Sequence, residues 1–203
     1  MEKFTMNDTT IAFIGLGLIG GSLAKGIKKA RPDIRIMAYM RTRSKLEQAK
    51  KDGIVDVILD GIDEQLKQCD LIFLCTPVEY NAQYLSKIRS YLKPGALITD
   101  VGSTKTDIHK EILRQGLTDC FVGGHPMAGS ERSGFSNSSD HLLENAYYIL
   151  KKQAMKMQLT ISLKMLIILL HRQKVLTRMA VDMAIFPRNT PKMSNALSPL
   201  RRL

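Results

Sequence analysis

Short apolar runs and longer amphipathic runs alternate along the first 150 residues of the chain. Thr10–Ile14 is unbroken apart from its first residue and too short for a helix, so it reads as a buried strand, and Leu18–Ala30 behind it reads as the helix that follows. Ile34–Tyr39 reads as a second strand and Ser44–Asp52 as a helix. Asp70–Cys75 is a third strand stopped by Thr76-Pro77, and Glu79–Leu92 is a helix closed by Lys93-Pro94-Gly95, which cannot continue one. Ala96–Val101 is another strand, followed by a helix from about Thr104 to Arg114; Phe121–Gly124 and Ala146–Leu150 complete the set. Strands separated by helices of this length build βαβ units, so the expected class is α/β, with a doubly wound, mostly parallel sheet covered on both faces.

Near Leu150 the style changes. All 14 glycines precede residue 135, whereas six of the 11 methionines follow residue 150. Residues 1–150 hold 19 Lys and Arg against 18 Asp and Glu, while residues 151–203 hold 11 against Asp182 alone, so the net charge of +11 belongs almost wholly to the tail. Two units follow, a domain over 1–150 and an atypical basic tail over 151–203. The near-neutral domain gives no reason to expect nucleic acid as a partner. No apolar run reaches the roughly 20 residues of a membrane helix, and no secretory leader precedes the first strand. Cys69, Cys75 and Cys120 are scattered, odd in number and without metal-ligand spacing, which fits reduced thiols in the cytoplasm and no metal.

Gly15-Leu16-Gly17-Leu18-Ile19-Gly20 follows the first strand directly and opens a helix. In that context Gly15 permits the tight turn, Gly17 lets backbone approach a pyrophosphate, and Gly20 lets helix and strand pack closely, a Rossmann-type dinucleotide site. The helix N-terminus at Leu18 and Ile19 offers free N–H groups and partial positive charge to phosphate. An acid is due about 20 residues on, where it would bind the adenosine ribose. The second strand instead ends Tyr39-Met40-Arg41-Thr42-Arg43, and Arg41 with Arg43 suits a 2′-phosphate, so NAD and NADP both stay open.

Two further segments are more specific: Thr99-Asp100-Val101-Gly102-Ser103-Thr104-Lys105, and Gly123-Gly124-His125-Pro126-Met127-Ala128-Gly129-Ser130-Glu131. With Gly15–Ala24 they resemble the prephenate dehydrogenase family over about residues 10–150, and arogenate dehydrogenase shares the design. Thr76, Pro77, Ser103 and His125 each follow a predicted strand end, so they are expected to meet in one crevice with the cofactor. The resemblance implies NAD(P)-dependent oxidative decarboxylation of prephenate to 4-hydroxyphenylpyruvate in tyrosine biosynthesis, with arogenate as the alternative substrate. It implies His125 as the group that accepts the hydroxyl proton, a task suited to a neutral imidazole. Ser103 would orient that imidazole, with a helix N-cap as its structural role, and Ser130 and Glu131 would line the substrate side. His109, His141 and His171 have no supporting context.

The resemblance also implies a mostly helical second domain that forms a homodimer and closes the pocket, and nothing in residues 151–203 resembles it. Met157, Leu159, Ile161, Leu163 and Met165 alternate with polar residues as a strand would, and Leu166–Leu170 is wholly apolar. Two readings of the tail stand: a truncated remnant, or one translated in a shifted frame after a lesion near codon 150; and a basic segment for nucleic acid or an anionic membrane, which its near-lack of aromatics (only Phe186) disfavours. In the first case the chain is a nucleotide-binding remnant, expected to keep cofactor binding but to turn over weakly or not at all and to lack the family's dimer contact.

Overall fold

The computed structural model describes residues 9–152 and 176–181. Eight strands form one sheet: β1 (Thr10–Ile14), β2 (Arg35–Tyr39), β3 (Val57–Ile58), β4 (Leu71–Leu74), β5 (Leu97–Asp100), β6 (Phe121–Pro126), β7 (Tyr147–Lys152) and β8 (Leu176–Val181). Their order is β3-β2-β1-β4-β5-β6-β7-β8. Every neighbouring pair is parallel except β6 with β7. Four helices connect them: α1 (Leu18–Ala30), α2 (Arg43–Lys51), α3 (Val78–Arg89) and α4 (Thr106–Gln115). The chain reverses its direction of winding between β1 and β4, and in open α/β sheets a ligand crevice forms at that point.

Both faces are buried, which is why the strands read as continuous apolar runs. Ile11 and Phe13 pack with Leu23, Ala24 and Ile27 of α1 and with Leu46 and Ala49 of α2. Ala12 and Ile14, pointing the other way, pack with Leu85 and Ile88 of α3 and Ile108 and Ile112 of α4. In the β1–β4 register Phe13 lies beside Phe73, and their rings stack with centroids 4.9 Å apart and planes 4° apart.

Most elements fall within a few residues of the pattern-based expectation; β3 and β8 were not expected, and β6 and β7 each run two residues further. The two-residue β3 is too short to show periodicity. β6 continues through His125 and Pro126 because β7 returns antiparallel to it and pairs Gly124 with Leu150, His125 with Ile149 and Pro126 with Tyr148. β7 itself runs two residues past Leu150, and β8, from within the basic tail, joins the same sheet. The alternating stretch Met157–Met165 and the run Leu166–Leu170 lie outside the described residues. Among the described residues no helix is long and apolar enough to cross a membrane.

Phe73→Ala removes a fully buried ring from the middle of the sheet, so it should cost about 3–5 kcal/mol of unfolding free energy. Urea unfolding followed by circular dichroism measures it; a loss below about 1 kcal/mol would contradict the central place given to the Phe13–Phe73 pair.

Candidate functional site

The glycine turn sits where the winding reverses. Gly15 has φ +94°, a region that favours glycine. A Cβ there would lie 2.8 Å from the carbonyl carbon and oxygen of Cys75, so the tips of β1 and β4 approach as they do only without one. At Gly20 a Cβ would meet the Gly15 carbonyl oxygen at 2.7 Å, which is why α1 can begin hard against the turn. Gly17 differs: nothing lies within 4 Å of where its Cβ would be, so its backbone borders open space. It caps α1 with no side-chain hydrogen bond and no acid in the first turn. The N–H groups of Leu18 and Ile19 are among those a helix leaves without intrahelical partners, and the positive end of the helix faces the same space. A pyrophosphate fits this cradle.

At the adenosine end, the Gly15 N–H donates to the Tyr39 carbonyl at 2.7 Å, tying the turn to the tip of β2. Beyond it lies a cavity of about 200 Å³, floored by Met40, Leu46 and Ile58 and rimmed by Arg41, Arg43 and Asp60. The Arg41 guanidinium stands over the Tyr80 ring, 5.2 Å from its centroid. Arg43 donates to Asp60 and, at 3.3 Å, to Glu47. The two arginines considered for a 2′-phosphate are thus differently placed: Arg41 on an aromatic face, Arg43 already between two carboxylates.

Thr76 and Pro77 follow β4, with Pro77 capping α3. The Thr76 hydroxyl donates to Asn81 Oδ1 at 2.6 Å, and Asn81 is buried with its Nδ2 unpartnered among the described residues. Thr76 also touches the turn, since its methyl would lie 3.0 Å from a Cβ on Gly15.

At the tips of β5 and β6 the organising group is a buried ion pair. Asp100 has no exposed surface; its Oδ2 accepts from Lys105 Nζ at 2.5 Å and from the Gly102 N–H at 3.0 Å, and its Oδ1 accepts from the Gly124 N–H at 3.1 Å. The Lys105 ammonium also donates to the carbonyls of Gly102 and Gly124, each at 2.6 Å. Ser103 directly follows Gly102 and His125 directly follows Gly124, so one ammonium gathers the backbones that carry both candidate residues. Burial pushes the Lys105 amine below its usual value, with Asp100 opposing. Burial also holds the His125 imidazole below its ordinary value; Lys105 adds to that and Asp100 opposes it. His125 Nδ1 is buried without a hydrogen-bond partner among the described residues.

Several expectations need correction. His125 is the fifth residue of β6 rather than the first residue of a loop. Ser103 does not cap α4: the helix begins at Thr106 with Lys105 at the cap position and no side-chain cap bond, because Lys105 folds inward to Asp100 and carries the loop with it. Ser103, Ser130 and Glu131 are all exposed, and Ser130 Oγ accepts from the Arg132 N–H at 3.2 Å. Met127, two residues past His125, and Tyr147 both have exposed side chains, and the Met127 N–H donates to the Tyr147 carbonyl at 2.7 Å. Sequence reading assigned no role to Asp60, Asn81, Asp100 or Lys105. A carboxylate at a strand's last position, five residues before a lysine, was the available sign for the last two.

A parallel core ordered β3-β2-β1-β4-β5-β6, with an open glycine turn where its winding reverses, defines a Rossmann-type nucleotide-binding domain. Comparison with known proteins takes the class to a family. The prephenate dehydrogenase nucleotide-binding domain matches residues 23–175. Prephenate dehydrogenase of Lactococcus lactis subsp. cremoris is 41% identical over 153 residues, which are 73% of this chain and 42% of that protein. The arogenate dehydrogenase structure from Synechocystis superposes with a TM-score of 0.76 at 31% identity, covering 85% of this chain and 60% of that one. The A. aeolicus prephenate dehydrogenase structure, in complex with hydroxyphenyl propionate and NAD+, gives 0.76 at 27% identity with the same coverage, 85% and 60%. The chain belongs to the prephenate dehydrogenase family, in its nucleotide-binding domain. It spans about two fifths of the length of the L. lactis relative.

Two measurements test the site. Lys105→Met strands a buried carboxylate and should cost about 3–5 kcal/mol, most of it recovered in Lys105→Met/Asp100→Asn. Equal losses in the single and double variants would mean that the lysine acts by packing alone. In an NMR titration, the His125 imidazole should have its midpoint below the ordinary 6.5. Since the folded value lies below the unfolded one, the unfolded chain takes up this proton first, and the stability tied to it is lost as pH falls through the folded value. A midpoint above 6.5 would contradict the burial described.

Proposed function

We propose that this domain carries the cofactor and the proton acceptor for oxidative decarboxylation of prephenate to 4-hydroxyphenylpyruvate in tyrosine biosynthesis, or of arogenate by the same chemistry. The reading rests on one observation above others: a half-buried imidazole, His125, held below its ordinary pKa at the tip of β6 and joined through Lys105 to the Ser103 loop. The glycine turn opens at another tip of the same sheet. Residues 1–150 form the dinucleotide-binding unit in this reading. Gly15, Gly17, Leu18, Ile19 and Gly20 take the pyrophosphate, Arg41 the adenosine side, and Thr76 and Pro77 the side toward the reacting carbon.

A nicotinamide dinucleotide bound there supplies the hydride acceptor. His125 takes the hydroxyl proton as the carbinol carbon loses hydride, and the ring carboxylate leaves as CO2, its bonding pair completing the aromatic ring. An imidazole whose pKa lies below its usual value is unprotonated at neutral pH and ready for that proton. Ser103 positions the imidazole and the substrate hydroxyl. Met127 and Tyr147 give a hydrocarbon ring an apolar rim, and Ser130 and Glu131 face the substrate's polar end. The family's homodimer and a cytoplasmic setting belong to the same reading.

Single-turnover mixing of the purified chain with NAD or NADP and prephenate or arogenate tests it, reading nicotinamide reduction and CO2 release. His125→Asn should slow the reaction about 10²–10⁴-fold, with dinucleotide affinity unchanged. Reduction at an undiminished rate in that variant removes His125 from the role; no reduction and no binding of either dinucleotide overturns the function.

A further inference from the structure

We infer that Asp60 stands in for the acid missing after β2, so that the adenosine pocket selects a dinucleotide with a free 2′-hydroxyl over its 2′-phosphorylated counterpart. This rests on the dinucleotide reading of the glycine turn and settles what that turn leaves open. The usual carboxylate sits at the end of the second strand, where this chain has Met40 and Arg41. Asp60 reaches the same place from another element: it follows β3, the edge strand paired beside β2, and stands on the rim of the cavity next to the β2 tip. One backbone hydrogen bond, Gly15 N–H to Tyr39 carbonyl, separates that cavity from the phosphate turn.

The charges on the rim decide the preference. Arg43, which otherwise suits a 2′-phosphate, is held by Asp60 on one side and Glu47 on the other. The Arg41 guanidinium stands over the Tyr80 ring, 5.2 Å from its centroid. Arg41, Arg43, Glu47 and Asp60 therefore sum to zero. A phosphate bringing about −1.5 to −2 charges would meet Asp60 directly and would have to detach Arg43 from it. A ribose hydroxyl donates to the Asp60 carboxylate while the ion pair stays in place. Asp60 is free to serve because its side chain is 76% exposed and nothing in the core depends on it.

Isothermal calorimetry of the purified chain with NAD and with NADP is the test, repeated with Asp60→Asn and Glu47→Gln. The chain should bind NAD at least about ten-fold tighter than NADP, one hydrogen-bonded charge being worth roughly that factor. Asp60→Asn should weaken NAD and strengthen NADP, moving the ratio about 10–100-fold toward NADP. Glu47→Gln should strengthen NADP modestly and leave NAD unchanged, since it loosens Arg43 without removing the ribose acceptor. Equal or tighter NADP binding by the unaltered chain, or a ratio unmoved by Asp60→Asn, overturns the inference and leaves the dinucleotide reading standing. Binding of neither dinucleotide overturns both.

Discussion

A carboxylate with no exposed surface at the tip of β5 constrains more of this domain than any other group. A buried charge is tolerated only when its oxygens are paired, and Asp100 is paired with Lys105 and two backbone N–H groups. Each pairing bends something. Gly102 is held against β5, so the loop before α4 folds back on the strand it leaves. Gly124 is drawn so close that a Cβ on it would lie 2.4 Å from the Asp100 carbonyl oxygen and 2.8 Å from the Tyr148 hydroxyl, so this position of β6 has no room for a side chain. Ser103 and His125 inherit their places from these two glycines.

The pair also acts on the His125 imidazole with opposite signs. Lys105 discourages protonation of the imidazole and Asp100 encourages it, leaving burial as the largest influence. A lone lysine would leave the Gly102 and Gly124 N–H groups without their acceptor and drive the imidazole further down. A lone aspartate would have pulled it up and left a buried charge without a counterion.

How far the sequence reveals this depends on whether a feature is local. Thr10–Ile14 and Leu18–Ala30 match the structure residue for residue, because a run buried on both faces and a helix opened by glycine carry their signals within a few positions. β6 extends beyond its predicted end only because β7, more than twenty residues later, pairs with it antiparallel, and no local pattern records that partner. β8 is similar: Leu176–Val181 becomes a strand through parallel pairing with β7. Among site residues, the glycines were legible from their spacing. His125 was legible from the motif around it. Asp60 was not, since its relation to Arg43 joins residues 17 apart, one opening α2 and the other just past β3, and an aspartate after a two-residue strand looks like any loop acid.

The two ends of the cleft are built to different tolerances. At the reactive end the ion pair is buried, with side-chain exposures of 16% and 0%, and removing one partner endangers the fold. At the adenosine end the Arg43–Asp60 pair is 60% and 76% exposed, in the range where ion pairs contribute about 0–1 kcal/mol to stability. Residues there can change with little effect on folding while still altering which ribose is accepted. Stability therefore holds the groups around Asp100 fast and leaves the surface charges around the cavity beside β2 free to change.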